Sequence, residues 1–472
     1  MRRQKRDERM KRKFDKELFT VHSSVGSISL FSLLLPLLFE TVMNHLQGTI
    51  NTAVLSNYSE VSASAVGSVN TVFNVLLLVG SVLSTGATVV VSNLIGEERI
   101  GRAREASFTT LTVGLLAGLF ITPVCLAFSP DLIRFLHLEG ALFEDGVTYF
   151  RLRMCFIVFT MLTSSVLALL KCYGYPKYTF LIGFITNVLN LLFNVFVLYC
   201  PEISPVTGVA GVALGCGFSN LIGFGVALFL LFRLGIRLSV PKSLSQYFGY
   251  LGHVLRIGVP SGISSATFAI VTMVTTSFVP LLGDSVIAAK VYSQNVLCYA
   301  YLFSVSAGNA NALLVGRRYG AGEYDKIAQM NRALVRITRA VNLGISSLLL
   351  LFYRPLIGIF TSDASVITLC LGVFAVDIIT EQARANSQVY EYALRAAGDV
   401  MFTTAFVIGS CIACGLGLAY FLAIPCGLGL IGLWIGLAAD ETVRAVVSYF
   451  RFRSGRWRTL RAKREADQVP VP

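Results

Sequence analysis

The sequence predicts an all-α membrane protein with about twelve transmembrane helices in two homologous six-helix lobes. Composition is the first observation: the 472 residues are 55% hydrophobic and have a mean hydropathy of +0.70. A soluble fold could not bury so much apolar surface, so lipid must be the solvent. The second is that charged residues, only 14% of the chain, cluster between the apolar runs. The third is that the apolar pattern recurs after about 220 residues.

The repeat also appears in short motifs. Its paired segments are Leu35-Pro36 with Val259-Pro260, Asn93–Gly96 with Ala312–Gly316, Lys171–Gly174 with Arg395–Gly398, and Gly208–Ala213 with Gly429–Trp434. Duplicated membrane halves are typical of secondary transporters, whose substrate sites lie near the bilayer midplane. Because each half holds an even number of spans, we expect a pseudo-two-fold axis along the membrane normal.

Each predicted span has about the ~20 apolar residues that a bilayer requires. The spans lie near 26–51, 63–93, 107–128, 147–171, 178–200, 208–232, 252–282, 286–315, 332–353, 365–396, 400–423 and 428–451. The expected domains are a basic arm (1–25), an N-lobe (26–235), a linker (236–251), a C-lobe (252–453) and a basic tail (454–472).

The loops between the spans are alternately basic and nearly free of Lys and Arg. By the positive-inside rule, this predicts a multi-pass plasma-membrane protein with both termini cytoplasmic. The net charge of +13 lies in these loops and tails. Anionic lipid is a sufficient partner for it, and we expect no nucleic acid to bind.

The sequence lacks the motifs that are typical of several other classes of protein. The sequence has no G-x-x-x-x-G-K-[ST] loop, so ATP is not expected to drive the protein directly. No H-E-x-x-H, nucleophile elbow or metal cluster is present, so we expect neither an enzyme nor a cofactor. Cys411 and Cys414 form a C-x-x-C inside an apolar span, and we interpret them as packing residues.

Two spans carry polar residues at helical spacing. In the first span they are Glu40, Asn44, Gln47 and Asn51, and in the tenth they are Asp377, Glu381, Arg384, Gln388, Glu391 and Arg395. Each set shares one helix face. A charge at mid-membrane costs about 2.5–3.5 kcal/mol, so both faces must contact protein or a water-filled cavity. An interhelical polar clamp is the alternative interpretation.

Further polar residues extend this pattern. They are Asn70 and Asn74 on the second span, Asn187, Asn190 and Asn194 on the fifth, and Asp440, Glu441 and Arg444 on the twelfth. The asparagines extend the predicted lining, although each could instead make an interhelical hydrogen bond. The spacing on the twelfth span permits internal ion pairs and favours a conformational gate or latch as much as a substrate contact.

Glu40 is the predicted proton carrier. It has no Lys or Arg at helical spacing and lies near the middle of its predicted span, where desolvation favours the uptake of a proton. Asp377, Glu381 and Arg384 are the expected partner network in the other lobe. Their mutual pairing suits sodium, a cationic drug or a salt-bridge latch.

The chain resembles the multidrug and toxic compound extrusion (MATE) family. The segments that carry the resemblance, in family order, are Leu33–Leu37, Thr85–Thr88 with Ser92–Gly96, Leu255–Pro260, Leu313–Gly322, Ala393–Asp399 and Phe452–Trp457. The resemblance implies two six-helix lobes around a central V-shaped cavity. It also implies extrusion of organic cations or other xenobiotics, driven by inward proton or sodium flow.

The chain departs from this family at two acidic positions. Asn51-Thr52 stands where members often have an Asp-Thr pair, and Ser264 or Phe268 stands where many have a Glu. The resemblance therefore places the coupling acid elsewhere, or implies altered coupling. The acids that remain in mid-span are Glu40, Asp377 and Glu381.

The predicted function is secondary active efflux of small, cationic, amphipathic molecules by proton or sodium antiport, with alternating access between the lobes of a monomer. A flippase for a lipid-linked intermediate is the alternative. Such a flippase needs a strongly cationic cavity, whereas Arg384 is the one deep cation of the tenth span and is offset by Asp377 and Glu381. A membrane-embedded enzyme would need a nucleophile or metal cluster, which the sequence lacks.

Overall fold

A computed structural model describes residues 17–134, 140–200, 202 and 206–460. Helices account for nearly all of the regular structure. In the first half of the chain they are α1 (Leu30–Tyr58), α2 (Glu60–Gly96), α3 (Ile100–Ala127), α4 (Ser129–Arg134), α5 (Ala141–Met154), α6 (Ile157–Cys172), α7 (Pro176–Tyr199) and α8 (Gly208–Arg233). In the second half they are α9 (Leu244–Ser277), α10 (Asp284–Gly320), α11 (Tyr324–Leu351), α12 (Tyr353–Gly358), α13 (Ala364–Ala396), α14 (Val400–Ser410), α15 (Ala419–Ala423) and α16 (Gly429–Arg453).

A few shorter elements complete the description. The strands β1 (Thr20–Val21) and β2 (Ile28–Ser29) form one antiparallel pair. A π-helix (Cys411–Leu418) joins α14 to α15, and 3₁₀ turns cover Val279–Leu282 and Arg456–Thr459.

These helices confirm the predicted class, an all-α membrane protein with about twelve spans. Eight helical segments of the described residues are long and apolar enough to cross a membrane, and α5 with α6 forms a ninth that bends by 50°. The structure lengthens the first span, because α1 continues to Tyr58 and α2 begins at Glu60. Ser59 between them caps α2, since its hydroxyl accepts a hydrogen bond from the Ser62 N–H at 3.2 Å.

The chain divides into two compact units. The N unit comprises Ser23–Ser27 and Leu35–Gly262, and the C unit comprises Ile28–Leu34 with the described parts of Met1–His22 and Ile263–Pro472. Two of the boundaries between these units fall inside a helix, one in α1 next to Pro36 and one in α9 two residues after Pro260. The predicted linker 236–251 is shorter in the structure, because α9 begins at Leu244. The arm before residue 17 and the tail after 460 lie outside the described residues.

Each unit has its own apolar core. The N-unit core includes the buried rings of Phe73, Tyr149 and Phe150 from α2 and α5. The C-unit core includes Phe374 of α13 and Trp434 of α16. Small residues allow the closest helix contacts, as is common in membrane proteins.

Gly436 of α16 shows how close one of these contacts is. A Cβ atom added there would lie 2.5 Å from the Cα atom of Ala419 and 2.7 Å from its backbone nitrogen. Only glycine fits between α15 and α16 at this point.

The ends of the C-unit helices are fixed by specific polar contacts. Asp363 caps α13 by accepting hydrogen bonds from the Ser365 hydroxyl at 2.5 Å and the Ser365 N–H at 2.8 Å. These bonds hold the pKa of Asp363 below its usual range. At the end of α10, the buried Arg318 donates to the main-chain oxygens of Leu18 at 2.7 Å and Thr20 at 3.1 Å. Arg318 thereby holds β1 against the end of α10 within the C unit.

Candidate functional site

The C unit contains a partly open cavity of about 420 Å³, which is lined by most of the polar stripe predicted on the tenth span. α13 contributes five of its lining residues from that stripe: Asp377, Arg384, Gln388, Glu391 and Arg395. α16 contributes the residues of the predicted latch: Asp440, Glu441 and Arg444. The polar stripe of the tenth span and the predicted latch of the twelfth span, which are separate in the sequence, therefore line the same cavity.

Ion pairs join these two helices. Arg384 pairs with Glu381 one turn away on α13, and its Nε lies 3.0 Å from Oε1 of Glu441 on α16. Arg444 continues the chain of charges, with Nη2 lying 3.0 Å from the same Glu441 oxygen and 2.8 Å from Oδ2 of Asp440. The Glu381–Arg384 pair within α13 is thus part of a five-residue network across two helices.

Neutral side chains complete the hydrogen bonds of this network. Asn342 of α11 donates to Oε2 of Glu381 at 3.1 Å, and Ser387 donates to Oε2 of Glu441 at 2.8 Å. Neither residue belongs to a polar stripe that is visible in the sequence. Asn342 lies on an amphipathic helix. A single amide on such a helix does not reveal which other helix its side chain contacts.

Several polar atoms in the cavity lining have no partner among the described residues. They are Oδ2 of Asp377, Oε1 of Gln388, Oε1 of Glu391, Nε of Arg395 and Nε of Arg444, all of which are buried. A buried polar atom without a partner is costly, so these atoms are the natural contacts for a polar ligand. Asp377 is 5% exposed, and its Oδ2 atom has no hydrogen-bond partner among the described residues.

The charges of this cavity nearly balance. With Glu381 included, five carboxylates face four basic side chains, a formal excess of one negative charge. Of the four basic residues in the lining, Lys290 is the most distant in sequence from the ion-pair network. Its Nζ donates to the Thr276 hydroxyl at 2.5 Å. Such a cavity suits a monovalent cation better than a pyrophosphate.

Aromatic side chains line the same cavity. The Arg384 guanidinium lies 5.5 Å from the ring centre of Tyr301, and that of Arg444 lies 5.8 Å from the ring centre of Phe268. Ser264 and Phe268, the two candidates for the position at which the resemblance implies a Glu, both line the cavity. The sequence pattern does not identify Tyr301 as a cavity residue, because a single aromatic residue in an apolar span looks like any other packing residue.

The π-helix positions Asp440. The Ser410 hydroxyl donates to Oδ1 of Asp440 at 2.5 Å, and Sγ of Cys411 lies 3.8 Å from Oδ2. Cys411 and Cys414 are free thiols. Cys411 therefore has a polar contact in addition to its predicted packing role. π-Helical turns are rare and often occur at functional sites, because the extra residue per turn redirects side chains.

The polar stripe of α1 meets the asparagines of α7 in the N unit. Oδ1 of Asn190 accepts hydrogen bonds from Gln47 at 3.1 Å and Asn51 at 2.9 Å, and Asn194 donates to Asn51 at 3.2 Å. Asn44 and Asn187 form a longer, exposed contact of 3.4 Å. We call Gln47, Asn51, Asn190 and Asn194 the amide network, which brings together four predicted site residues.

Glu40 differs from its prediction. Its Oε1 lies 2.8 Å from Nζ of Lys171, and its Oε2 accepts a hydrogen bond from the Thr179 hydroxyl at 3.0 Å. Glu40 has no Lys or Arg at helical spacing on its own helix, but a neighbouring helix supplies Lys171 as its cationic partner. Glu40 is also not at mid-helix, since α1 runs to Tyr58 and Glu40 lies opposite the last turn of α6.

Comparison with known proteins identifies the family. The sequence profile of the MatE family matches residues 36–196 and, a second time, residues 260–421. The chain belongs to the MATE family. The two matches confirm the duplication that the motifs predict. MATE proteins are transporters, so this multi-pass membrane protein is a transporter and not an enzyme.

Relatives of full length support this assignment. The chain is 31% identical to "uncharacterized transporter YisQ" of Bacillus subtilis, over 91% of this chain and 95% of that protein. It is 26% identical to "probable multidrug resistance protein NorM" of Thermotoga maritima, over 91% of this chain and 92% of that protein.

Solved structures show the same fold. A crystal structure of MATE in complex with MaL6 superimposes with a TM-score of 0.84 at 18% identity, over 92% of this chain and 96% of that one. An outward-facing MATE transporter gives a TM-score of 0.83 at 19% identity with the same coverage.

Proposed function

We propose that this MATE protein is a secondary active multidrug efflux transporter. It exports small, cationic, amphipathic molecules across the plasma membrane in exchange for protons or sodium ions, by alternating access. It works as a monomer without a cofactor, with both termini cytoplasmic. The observation that carries this proposal is the C-unit cavity, in which one carboxylate oxygen of Asp377 has no partner among the described residues and lies beside aromatic and apolar walls.

The chemistry of the cavity explains how an antiporter could use it. The apolar part of an organic cation would contact rings such as Phe268 and Trp434, and its charge would lie against Asp377. A proton or a sodium ion would neutralise the same carboxylate. Because one carboxylate cannot hold both cations, binding of the coupling ion would displace the drug.

The N unit supports a coupling site in the C unit. The polar stripe of α1 has one carboxylate, Glu40, which is paired with Lys171. The other stripe residues are amides, which do not titrate. The relatives named as probable multidrug resistance proteins support the substrate class. The flippase alternative is disfavoured, because the C-unit cavity carries an excess of negative charge.

A transport experiment tests the proposal. Purified protein in vesicles is given an imposed proton gradient or sodium gradient, and efflux of a fluorescent organic cation is measured. We expect Asp377→Asn to abolish gradient-driven efflux. Asp363→Asn is the matched control, since Asp363 is exposed and Asn preserves its capping role. Equal transport by Asp377→Asn and Asp363→Asn would refute the proposed site.

A further inference from the structure

The N unit holds a half-buried cation that the transport cycle above does not use. Arg153 lies at the end of α5, where α5 and α6 meet at a 50° bend. Among the side chains that the structure describes, no carboxylate forms an ion pair with its guanidinium. Its contacts there are all with neutral groups. Cations inside membrane proteins are normally paired, so this arrangement requires an explanation.

Neighbouring side chains contact one nitrogen of the Arg153 guanidinium and one of its two faces. Nη1 donates to the Tyr149 hydroxyl at 2.6 Å and also to Oδ1 of Asn70. The Phe73 ring centre lies 3.9 Å from the guanidinium carbon. Tyr149 and Phe73 are almost completely buried. These contacts fix the plane of the guanidinium rigidly.

The other nitrogens of Arg153 have no acceptor among the residues that the structure describes. Nε is buried, and no described residue accepts a hydrogen bond from Nε or from Nη2. An arginine fork with two donors on one edge matches a carboxylate or another small anion in geometry and charge. The ring of Phe73 cannot satisfy these donors, because it lies over the face of the guanidinium and not at its edge.

Arg153 is also close to the amide network. Cys216 of α8 lies near the Arg153 guanidinium and accepts a hydrogen bond from Asn190 at 3.0 Å. Amide N–H groups and a guanidinium are the donors that bind anions, and the stripe carboxylate of this unit, Glu40, is already paired. Arg153 therefore places a positive charge beside neutral amides, whereas the C-unit cavity carries an excess of negative charge.

We propose that Arg153, together with Asn70 and Tyr149, binds a small monoanionic group. The group is either a free inorganic anion or the carboxylate of an amphoteric substrate. The two sources share the same chemistry, one negative charge with acceptor atoms directed at Nε and Nη2. The proposal rests on the geometry of the N unit and does not depend on the coupling mechanism of the C unit.

A stability titration tests this site without measuring transport. The full-length protein in detergent is heated in sodium gluconate, which is replaced by sodium bromide or sodium benzoate at constant ionic strength. Ligand binding to the native state raises Tm in a saturable way. We expect this rise in the natural protein and an affinity at least about tenfold weaker in Arg153→Gln, because charge-assisted hydrogen bonds are lost.

Matched variants make the result specific. Arg151→Gln removes the same charge from the same helix, but Arg151 is exposed and bonds to Ser129, so the Tm rise should stay as in the natural protein. Arg153→Lys keeps the charge without the fork and should bind the anions more weakly than arginine but more tightly than glutamine. It also serves as the test if Arg153→Gln does not fold.

The anion series distinguishes the two sources. A response to bromide alone supports an inorganic anion, and a response to benzoate that competes with bromide supports a substrate carboxylate. Equal responses of the natural protein and Arg153→Lys, or no response in the natural protein, would overturn the proposal. Loss of drug efflux in Asp377→Asn leaves this titration unchanged, so failure of either proposal is visible separately.

Discussion

Replacing Glu441 with Gln should destabilise the C unit strongly. Glu441 is 3% exposed, and its carboxylate contacts Nε of Arg384, Nη2 of Arg444 and the Ser387 hydroxyl, at 3.0, 3.0 and 2.8 Å. Gln keeps the shape but removes the charge between two arginines. Removing one partner of a buried ion pair costs about 3–5 kcal/mol, because the remaining charge is left uncompensated.

The size of this effect can be expressed as a melting temperature. For large domains, 1 kcal/mol corresponds to about 2–4 °C, so we expect Tm of Glu441→Gln to fall by at least about 6 °C. The assay is thermal unfolding of the purified protein in detergent, followed by intrinsic fluorescence. Asp131→Asn is the control, since it breaks an exposed pair with Arg134 at 3.5 Å and should leave Tm nearly unchanged.

A double variant tests the cause. If the cost arises from uncompensated arginine charge, Glu441→Gln combined with Arg444→Gln should lose less stability than the sum of the two single changes. Additive losses would show that the side chains act independently. Equal Tm values for Glu441→Gln and Asp131→Asn would refute the inference that this network is a buried structural element.

Three further predictions concern other parts of the chain. Glu40→Gln should lower Tm, because Lys171 loses its partner, and should preserve the pH dependence of efflux. Loss of that pH dependence would support Glu40 as the proton carrier. Gly436→Val should prevent folding, measured as loss of a monodisperse peak, whereas Gly409→Ala has open space and should fold normally. Cysteine at Pro205, which lies outside the described residues, should be labelled by an impermeant reagent on intact cells; labelling only after lysis would reverse the topology.

Local sequence patterns predict the helices and the faces that their polar residues share. The apolar runs have the length of a bilayer, and the recurrence of Leu35-Pro36 as Val259-Pro260 reveals the duplication that the two MatE matches confirm. The stripe from Asp377 to Arg395 lines the C-unit cavity, as expected of charges that cannot face lipid. These features depend on residues within one helix, so the sequence contains them.

The contacts between helices could not be predicted in this way. Nothing in the spacing of α1 shows that Lys171 of α6 neutralises Glu40, or that Arg384 joins the stripe of α13 to Glu441 of α16. In the sequence, Arg153 is likewise only one of several basic residues near the end of a predicted span, and its neutral contacts cannot be predicted. The helical period fixes which side chains share a face. The neighbour of that face is set by how helices distant in sequence pack, and that packing decided which charges are paired and which remain available for a ligand.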